Sequence, residues 1–435
     1  MSIPLDRLYN YIESIAEEIY GNTIVIYRFY PYGSKKLKDL IHLKFFTWQE
    51  RSIFLNIYCN DQEPLNYEYY ENHQLYHGAP ASRSAWNRIL EALSIAPRQN
   101  LKNDNIYDKV LILHSEQRSK NLEMYRHDNF IPVYYWNHAI LALDWFRYAN
   151  HVVIKKTLLT KKFLIYNRAW SGTREYRLKF ADLLINNELV DDCQTSVGFF
   201  DQDVYYKNHK FINLAWQPLH QLENYFICNS APSTHSADFT IEDYANTDVE
   251  VVLETLFDDD RLQLTEKSLR PIACGQPFIL AATHGSLQYL QNYGFKTFND
   301  VFDESYDQIE DPVKRLKAIV ALMVQISKWT DNERSYKIMQ LQQIAEYNRT
   351  HFFSKEFFNQ VITELKENLT TAFTLFNSTK SCSQWIQKWE NLMQHQLAID
   401  FLKSNQSTNW PTTQDFELVY KEAKNISNDY RLMQR

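Results

Sequence analysis

The amino-acid sequence predicts an α/β protein of two Rossmann-like domains, each a parallel sheet covered by helices, with a helical C-terminal extension. Three observations predict it. Between Glu254 and Asp307, short helical and strand-like runs alternate across tight links. In the first half, short apolar runs end in polar loops. From about Asp311 onward the apolar spacing becomes helical. The 435 residues suit two domains and an extension, expected at 1–155, 156–312 and 313–435.

Residues 5–20 carry Leu8, Ile12, Ile15 and Ile19 at helical spacing, and Gly21-Asn22 stops the helix. Strands are expected at Thr23–Tyr27, Ile53–Tyr58, Val110–Leu113 and Val133–Trp136, then a helix through Ile140, Leu143, Trp145 and Tyr148. Three of these strands run into polar loops: Asp61 and Glu63 after the second, His114 and Glu116 after the third, His138 after Trp136. Ligands of open parallel sheets bind beyond the carboxyl ends of the strands. If the strands are parallel neighbours, these side chains converge there. Each acidic one alone would equally suit a helix cap. From Glu68 to Lys109, Arg83, Arg88, Arg98 and Lys102 interleave with Tyr69, Tyr70, Tyr76 and Trp86. That mixture suits nucleic acid or an ordinary surface with half-buried aromatics.

The second domain opens with a strand at Phe163–Tyr166, a turn Asn167–Arg174 containing Ser171-Gly172-Thr173, and a helix with Tyr176, Phe180, Leu183 and Leu184 on one face. A helix start after a strand offers N–H groups to phosphate, and Arg168 and Arg174 add guanidinium forks. Thr265 caps a helix that Gly275 closes, with Pro271 expected to kink or shorten it. Phe278–Ala282 reads as a strand, Ser286 as the cap of a helix ended by Gly294, and Phe295–Phe298 as a further strand. Three helical stripes follow, through Val313–Ile326, Ile338–Ala345 and Phe357–Leu365; Trp385 and Trp389 continue the helical pattern.

Composition narrows the classes. Net charge is −7, which argues against a general nucleic-acid coat and leaves room for a local basic groove. Lys155-Lys156 and Lys161-Lys162 form the clearest basic cluster, suited to such a groove or to a solvated linker. Tyr 29, Phe 26 and Trp 10 make the chain aromatic-rich. Cys59, Cys193, Cys228, Cys274 and Cys382 are scattered without a CxxC, as expected for reduced, buried thiols of a cytoplasmic protein. No signal-peptide pattern and no long apolar run suggests a membrane segment. Asp201-Gln202-Asp203 and Asp258-Asp259-Asp260 formally match DxD, but with 53 acidic residues they are expected to be solvated, and no metal site is expected.

Thr265-Glu266-Lys267 at a helix start, followed by Pro277-Phe278-Ile279, resembles the donor-binding half of GT-B glycosyltransferases. With GFKTF, DESYD, DQEP, YYWNHAILALDWFRYA and FLIYNRAWSGTREYRLKF, residues 50–350 resemble a family of glycosyltransferase-like proteins of tailed bacteriophages. Some phage enzymes of this general kind add glucose or arabinose to hydroxymethylated cytosine in DNA. The resemblance implies a GT-B-like fold and a metal-independent glycosyltransferase using a nucleotide sugar, UDP-linked, in the host cytoplasm. It implies that Arg168, Ser171, Arg174, Thr265, Glu266 and Lys267 bind the donor, with no cofactor beyond it. Asp61, Glu63 or Glu116 would be the catalytic base, Asp61 first, and His114, Trp136 and His138 would lie on the acceptor side. The acceptor would be DNA. A glycan or lipopolysaccharide acceptor, or a non-catalytic GT-B-like binding protein, is the alternative. Neither the sugar nor the oligomeric state is legible.

Overall fold

The computed structural model describes residues 161–229 and 238–378 continuously. Before them it describes residues 11, 14, 15, 18, 26–27, 55–60, 109–118, 133–137, 139–146, 149–150 and 154–157. Asp61, Glu63, His138, the 68–108 segment, Trp385 and Trp389 lie outside the described residues.

The protein is mixed α/β with two parallel four-stranded sheets. The first contains β1 (Ile26–Tyr27), β2 (Leu55–Asn60), β3 (Lys109–His114) and β4 (Val133–Tyr135), paired in that order. Each of the four strands expected here has described strand residues, with β2 and β3 running on to Asn60 and His114 and β4 ending at Tyr135. Helix α1 (Ala139–Trp145) follows, its Asn137 Oδ1 accepting the Ala139 N–H at 2.8 Å. The second sheet begins with β5 (Lys161–Asn167), which leads through a 3₁₀ turn at Gly172–Arg174 into α2 (Tyr176–Asn186). Next come β6 (Cys193–Val197), a hairpin of β7 (Phe200–Asp201) and β8 (Val204–Tyr205), and α3 (Ile241–Ala245). Strand β9 (Thr247–Leu253), helix α4 (Glu266–Cys274), strand β10 (Phe278–Ala281) and helix α5 (Ser286–Asn292) complete the unit. Strand order is β10-β9-β5-β6, so connections leave β5 on both sides. Helices α6 (Pro312–Ser327), α7 (Asp331–Phe352) and α8 (Lys355–Ser378) follow.

Sequence inspection passed over β6, β9 and the hairpin. Strand β9 is buried along its whole length, as a central parallel strand must be, but Asp248 and Glu250 interrupt its apolar residues and hide the strand in the sequence. The expected strand at Phe295–Phe298 does not form. Asn348 of α7 accepts the Lys296 N–H at 2.8 Å and donates to its carbonyl at 2.8 Å, taking the backbone bonds a neighbouring strand would make. Pro271 does not shorten α4, which runs on to Gly275 in the left-handed conformation (φ 66°). Ser286 does not cap α5. Its hydroxyl turns back to Thr283 O, and the Asp307 carboxylate, twenty residues on, accepts the Leu287 N–H at 3.2 Å.

One apolar cluster unites the described parts. Trp136, Ile140 and Phe146 join Phe163 and Ile165 of β5, Val249 and Val251 of β9, Ile279 of β10, and Leu316, Leu341 and Val361 of the last three helices. Of the thiols, Cys193 and Cys274 are buried, but Cys228 is exposed, contrary to expectation. No helix among the described residues is long and apolar enough to cross a membrane.

Candidate active site

The order β10-β9-β5-β6 creates a topological switch between β5 and β9, where the chain leaves the two strands in opposite directions and opens a crevice at their carboxyl ends. The turn Arg168–Arg174 covers it. Gly198 lets that turn close: its N–H donates to Asn167 O at 2.9 Å, and a Cβ there would stand 2.3 Å from Arg168 O. Asp201, at the end of β7, accepts the N–H groups of Trp170 (2.8 Å) and Ser171 (2.7 Å). The backbone cradle expected to hold phosphate therefore holds one of the chain's own carboxylates. Asp201 is a latch, not the solvated residue expected from sequence. Gln202 and Asp203, both at positive φ, form the hairpin turn that carries it.

Below the turn, Tyr176 Oη donates to Glu254 O (2.7 Å). The Arg177 guanidinium donates to Ala169 O (2.6 Å), Leu253 O (2.5 Å) and Glu254 O (3.0 Å). These two side chains tie the start of α2 to the end of β9. Burial pushes the Tyr176 phenol above its ordinary range. Within this layer Asn167 Oδ1, Trp170 Nε1, Ser171 Oγ and Arg177 Nε are buried polar atoms without a hydrogen-bond partner among the described residues.

The second cradle is the start of α4. The buried Glu254 carboxylate accepts from Thr255 N (2.9 Å), Thr265 N (2.9 Å), Thr265 Oγ1 (2.8 Å), Ser268 N (3.2 Å) and Ser268 Oγ (2.6 Å). A carboxylate on the amide groups of a helix start offsets the positive end of the helix dipole. Thr265 caps α4 as expected. Glu266 is fully buried and pairs with Lys267 Nζ at 2.6 Å, while Lys267 remains part-exposed. Of the three cations expected at the donor site, Arg168 and Lys267 have separate partners. Arg168 lies 5.2 Å from the Tyr166 ring centre and donates to Asp238 O at 3.4 Å. Burial, then the neighbouring Arg270, depresses its pKa. Lys267 faces Glu266, and Arg174 stands near enough to Tyr176 and the like-charged Arg177 to lower the pKa of both.

The carboxyl end of the first sheet meets the same region. Beyond β3, Ser115 Oγ accepts from Gln263 Nε2 (3.0 Å), Glu116 pairs with Arg261 (3.0 Å), and Gln117 and Leu262 exchange backbone bonds (2.7 and 2.9 Å). Arg118 donates to His284 O at 2.5 Å, just past β10. His114, Glu116 and Trp136 are buried, so in this structure they shape the seam from within. The Glu116 N–H donates to His114 Nδ1 at 3.0 Å, which places the proton of the neutral ring on Nε2. His284, unassigned from sequence, is half-exposed at the seam. Burial and the Arg118 and Arg315 charges lower its pKa, so the ring is neutral at neutral pH.

Asp258 is likewise structural, accepting from Asn213 Nδ2 and Trp216 Nε1 at 2.8 Å each, while Asp259 pairs with Arg261. No group of three or more His, Cys, Asp or Glu among the described residues is placed to hold a metal ion. The basic cluster is partly spent. Lys156 donates to Tyr244 O, Thr247 O and Gln276 Oε1, Lys161 to Asp191 O, and Lys162 to Asp192 and Ser327 O. The roles of Asp201, Arg177 and Arg261 were not legible in the sequence because partners of each lie 30 or more residues away, and that of Glu254 because its partners Thr265 and Ser268 lie across a loop. The one available signal was Glu254, the first polar residue after the β9 run. No protein-family model, curated protein or solved structure shows significant similarity to the chain.

Proposed function

We propose that the chain is a GT-B-like, metal-independent glycosyltransferase that moves a sugar from a nucleotide donor, UDP-linked, to a hydroxyl. The observation that carries the proposal is the meeting of two parallel sheets at their carboxyl ends. Residues 115–118 beyond β3 bond to 261–263 beyond β9 and to His284 beyond β10. Donor and acceptor sites on facing Rossmann-like units need that orientation. The Thr265-Glu266-Lys267 helix start, beside the switch point of the second sheet, supports a donor site there.

In the reaction the acceptor oxygen attacks the anomeric carbon, the bond to the diphosphate oxygen breaks, and the acceptor proton passes to a base. With both backbone cradles filled by Asp201 and Glu254, side chains must meet the leaving diphosphate. Arg168, Arg174 and Lys267 have the required charge, Ser171 lies in the covering turn, and Glu266 would meet ribose or sugar hydroxyls. Glu116 is committed to Arg261, which favours Asp61 as the base, with Glu63 two residues on as the alternative. The acceptor we propose is hydroxymethylated cytosine of phage DNA. Its support is the resemblance carried by residues 50–350; three of the four clustered lysines, Lys156, Lys161 and Lys162, already have partners within the chain.

The test is nucleoside mass spectrometry of DNA from cells co-expressing the chain with a cytosine hydroxymethylase, beside hydrolysis assays over a panel of UDP-sugars. Glycosylated cytosine is expected. Donor turnover without modified DNA would move the acceptor to a glycan. Absence of turnover with every donor would leave a binding protein on a GT-B-like scaffold.

A further inference from the structure

Beyond β10 the seam gathers positive charge that no ion pair among the described residues neutralises. Arg118, from the loop after β3, donates to His284 O at 2.5 Å. Arg315 of α6 is buried and donates to Ile309 O (2.5 Å), Glu310 O (3.0 Å) and Phe257 O. Both guanidinium groups thus bond to backbone carbonyls, whereas Arg261, Arg270 and Arg334 each hold a carboxylate. A buried charge without a counter-ion is costly, and burial pushes the Arg315 pKa down to about 10. The same two charges, after burial, lower the pKa of His284; the exposed Glu310 and Asp260 oppose them and act less. Thr283 Oγ1, one residue before His284, is a buried polar atom without a hydrogen-bond partner among the described residues.

The backbone of Arg118 adds a second observation. Its φ is 53°, a left-handed conformation that costs energy in any residue with a side chain. The two-way bridge of Gln117 with Leu262 fixes the chain just before it. Glycine would fit there without strain, so the strain is retained for the side chain. That guanidinium is exposed, and its N–H groups other than the one on His284 O have no partner among the described residues. A planar fork with a half-exposed imidazole beside it offers donors from two directions, which suits a tetrahedral oxyanion of high charge. We propose that Arg118 and His284 clamp a phosphoryl anion at the carboxyl end of β10, with Arg315 as a fixed charge behind it. Its identification as the diphosphate of a nucleotide donor rests on the transferase reading; the anion site does not.

The test is titration calorimetry of the full chain with inorganic pyrophosphate at low salt. One pyrophosphate per protein is expected, displaced by UDP. Arg118→Gly relieves the backbone and removes the fork, so it should weaken binding about tenfold or more with a thermal midpoint unchanged or raised. Should glycine lower the midpoint, Arg118→Asn, which also tolerates this conformation, must show the same loss of binding. His284→Ala should weaken binding about threefold or more. Lys355→Ala removes an exposed charge at the start of α8 and should leave affinity within about twofold. Absence of saturable binding, normal binding by Arg118→Gly, or equal loss in Lys355→Ala would overturn the site. Displacement by a duplex oligonucleotide and not by UDP would give the site to the DNA backbone and overturn the diphosphate assignment. Pyrophosphate binding without turnover of any UDP-sugar would keep the site and remove the transferase reading. Equal UDP-sugar turnover by wild type and Arg118→Gly would do the reverse.

Discussion

Glu304 is a buried carboxyl whose pKa is pushed up to about 7, first by burial and further by the nearby Asp307 charge. The folded state therefore holds this proton more tightly than the unfolded chain does. Its stabilising effect is complete below about pH 4.5 and is lost as pH rises through 7. The shift corresponds to about 3 kcal/mol at most. Urea denaturation across pH 4.5 to 7.5 should show wild-type stability falling relative to Glu304→Gln, with parallel profiles refuting the assignment. The Glu254 carboxylate sits among amide and hydroxyl donors at the start of α4. Glu254→Ala strands those buried donors and should cost about 2–4 kcal/mol in chemical denaturation. A loss under about 0.5 kcal/mol would mean the donors find other partners.

At the scale of elements, both turns over the crevice are held by carboxylates from elsewhere in the chain. Asp201 reaches from a hairpin thirty residues beyond the turn it latches. Asp201→Ala should unlatch residues 168–174 and cost about 1–3 kcal/mol. Amide exchange is the direct readout: Trp170 and Ser171 should lose protection while α6 keeps its own. Equal loss in α6 would indicate global destabilisation. Lys267 tests the proposed chemistry of its element. Lys267→Ala leaves the α4 cap on Thr265 and Glu254 in place and should reduce nucleotide-sugar turnover by about 2–4 kcal/mol of transition-state stabilisation. Unchanged turnover in that variant removes Lys267 from the donor site.

For the molecule as a whole, the seam among the described residues includes the Glu116–Arg261 ion pair, the Ser115–Gln263 and Arg118–His284 bonds and the two-way Gln117–Leu262 backbone bridge. Glu116 is buried and paired with Arg261. Arg261→Ala should cost about 3–5 kcal/mol, because an uncompensated charge remains inside. Adding Glu116→Gln should recover at least half of that loss. A double variant as unstable as the single one would show that Arg261 contributes by packing or through Asp259 instead. Helix α8 also spans the described parts, with Asn368 donating to Tyr135 O at 2.9 Å and Lys366 pairing with Glu18. The C-terminal helices thus hold the first half of the chain as well as extending the second.

By itself the sequence determined what is written within a few residues. Thr265 caps and Gly275 ends α4, and the apolar stripes of α6, α7 and α8 identify their buried faces. The short runs at β2–β5 and β10 declare parallel-strand layers, because these signals are backbone preferences and periodicities local to each segment. The tertiary structure alone decided the site. Asp307 caps α5 from twenty residues away, Asp201 fills the turn after β5, Glu254 occupies the start of α4, and Arg261 closes on Glu116 across the seam. Phe295–Phe298 shows the same limit from the other side: strand-like residues stay irregular because Asn348 takes their backbone bonds. A carboxylate reads the same in sequence whether it caps, latches or catalyses. Its role is set by the donors that the folded chain brings to it.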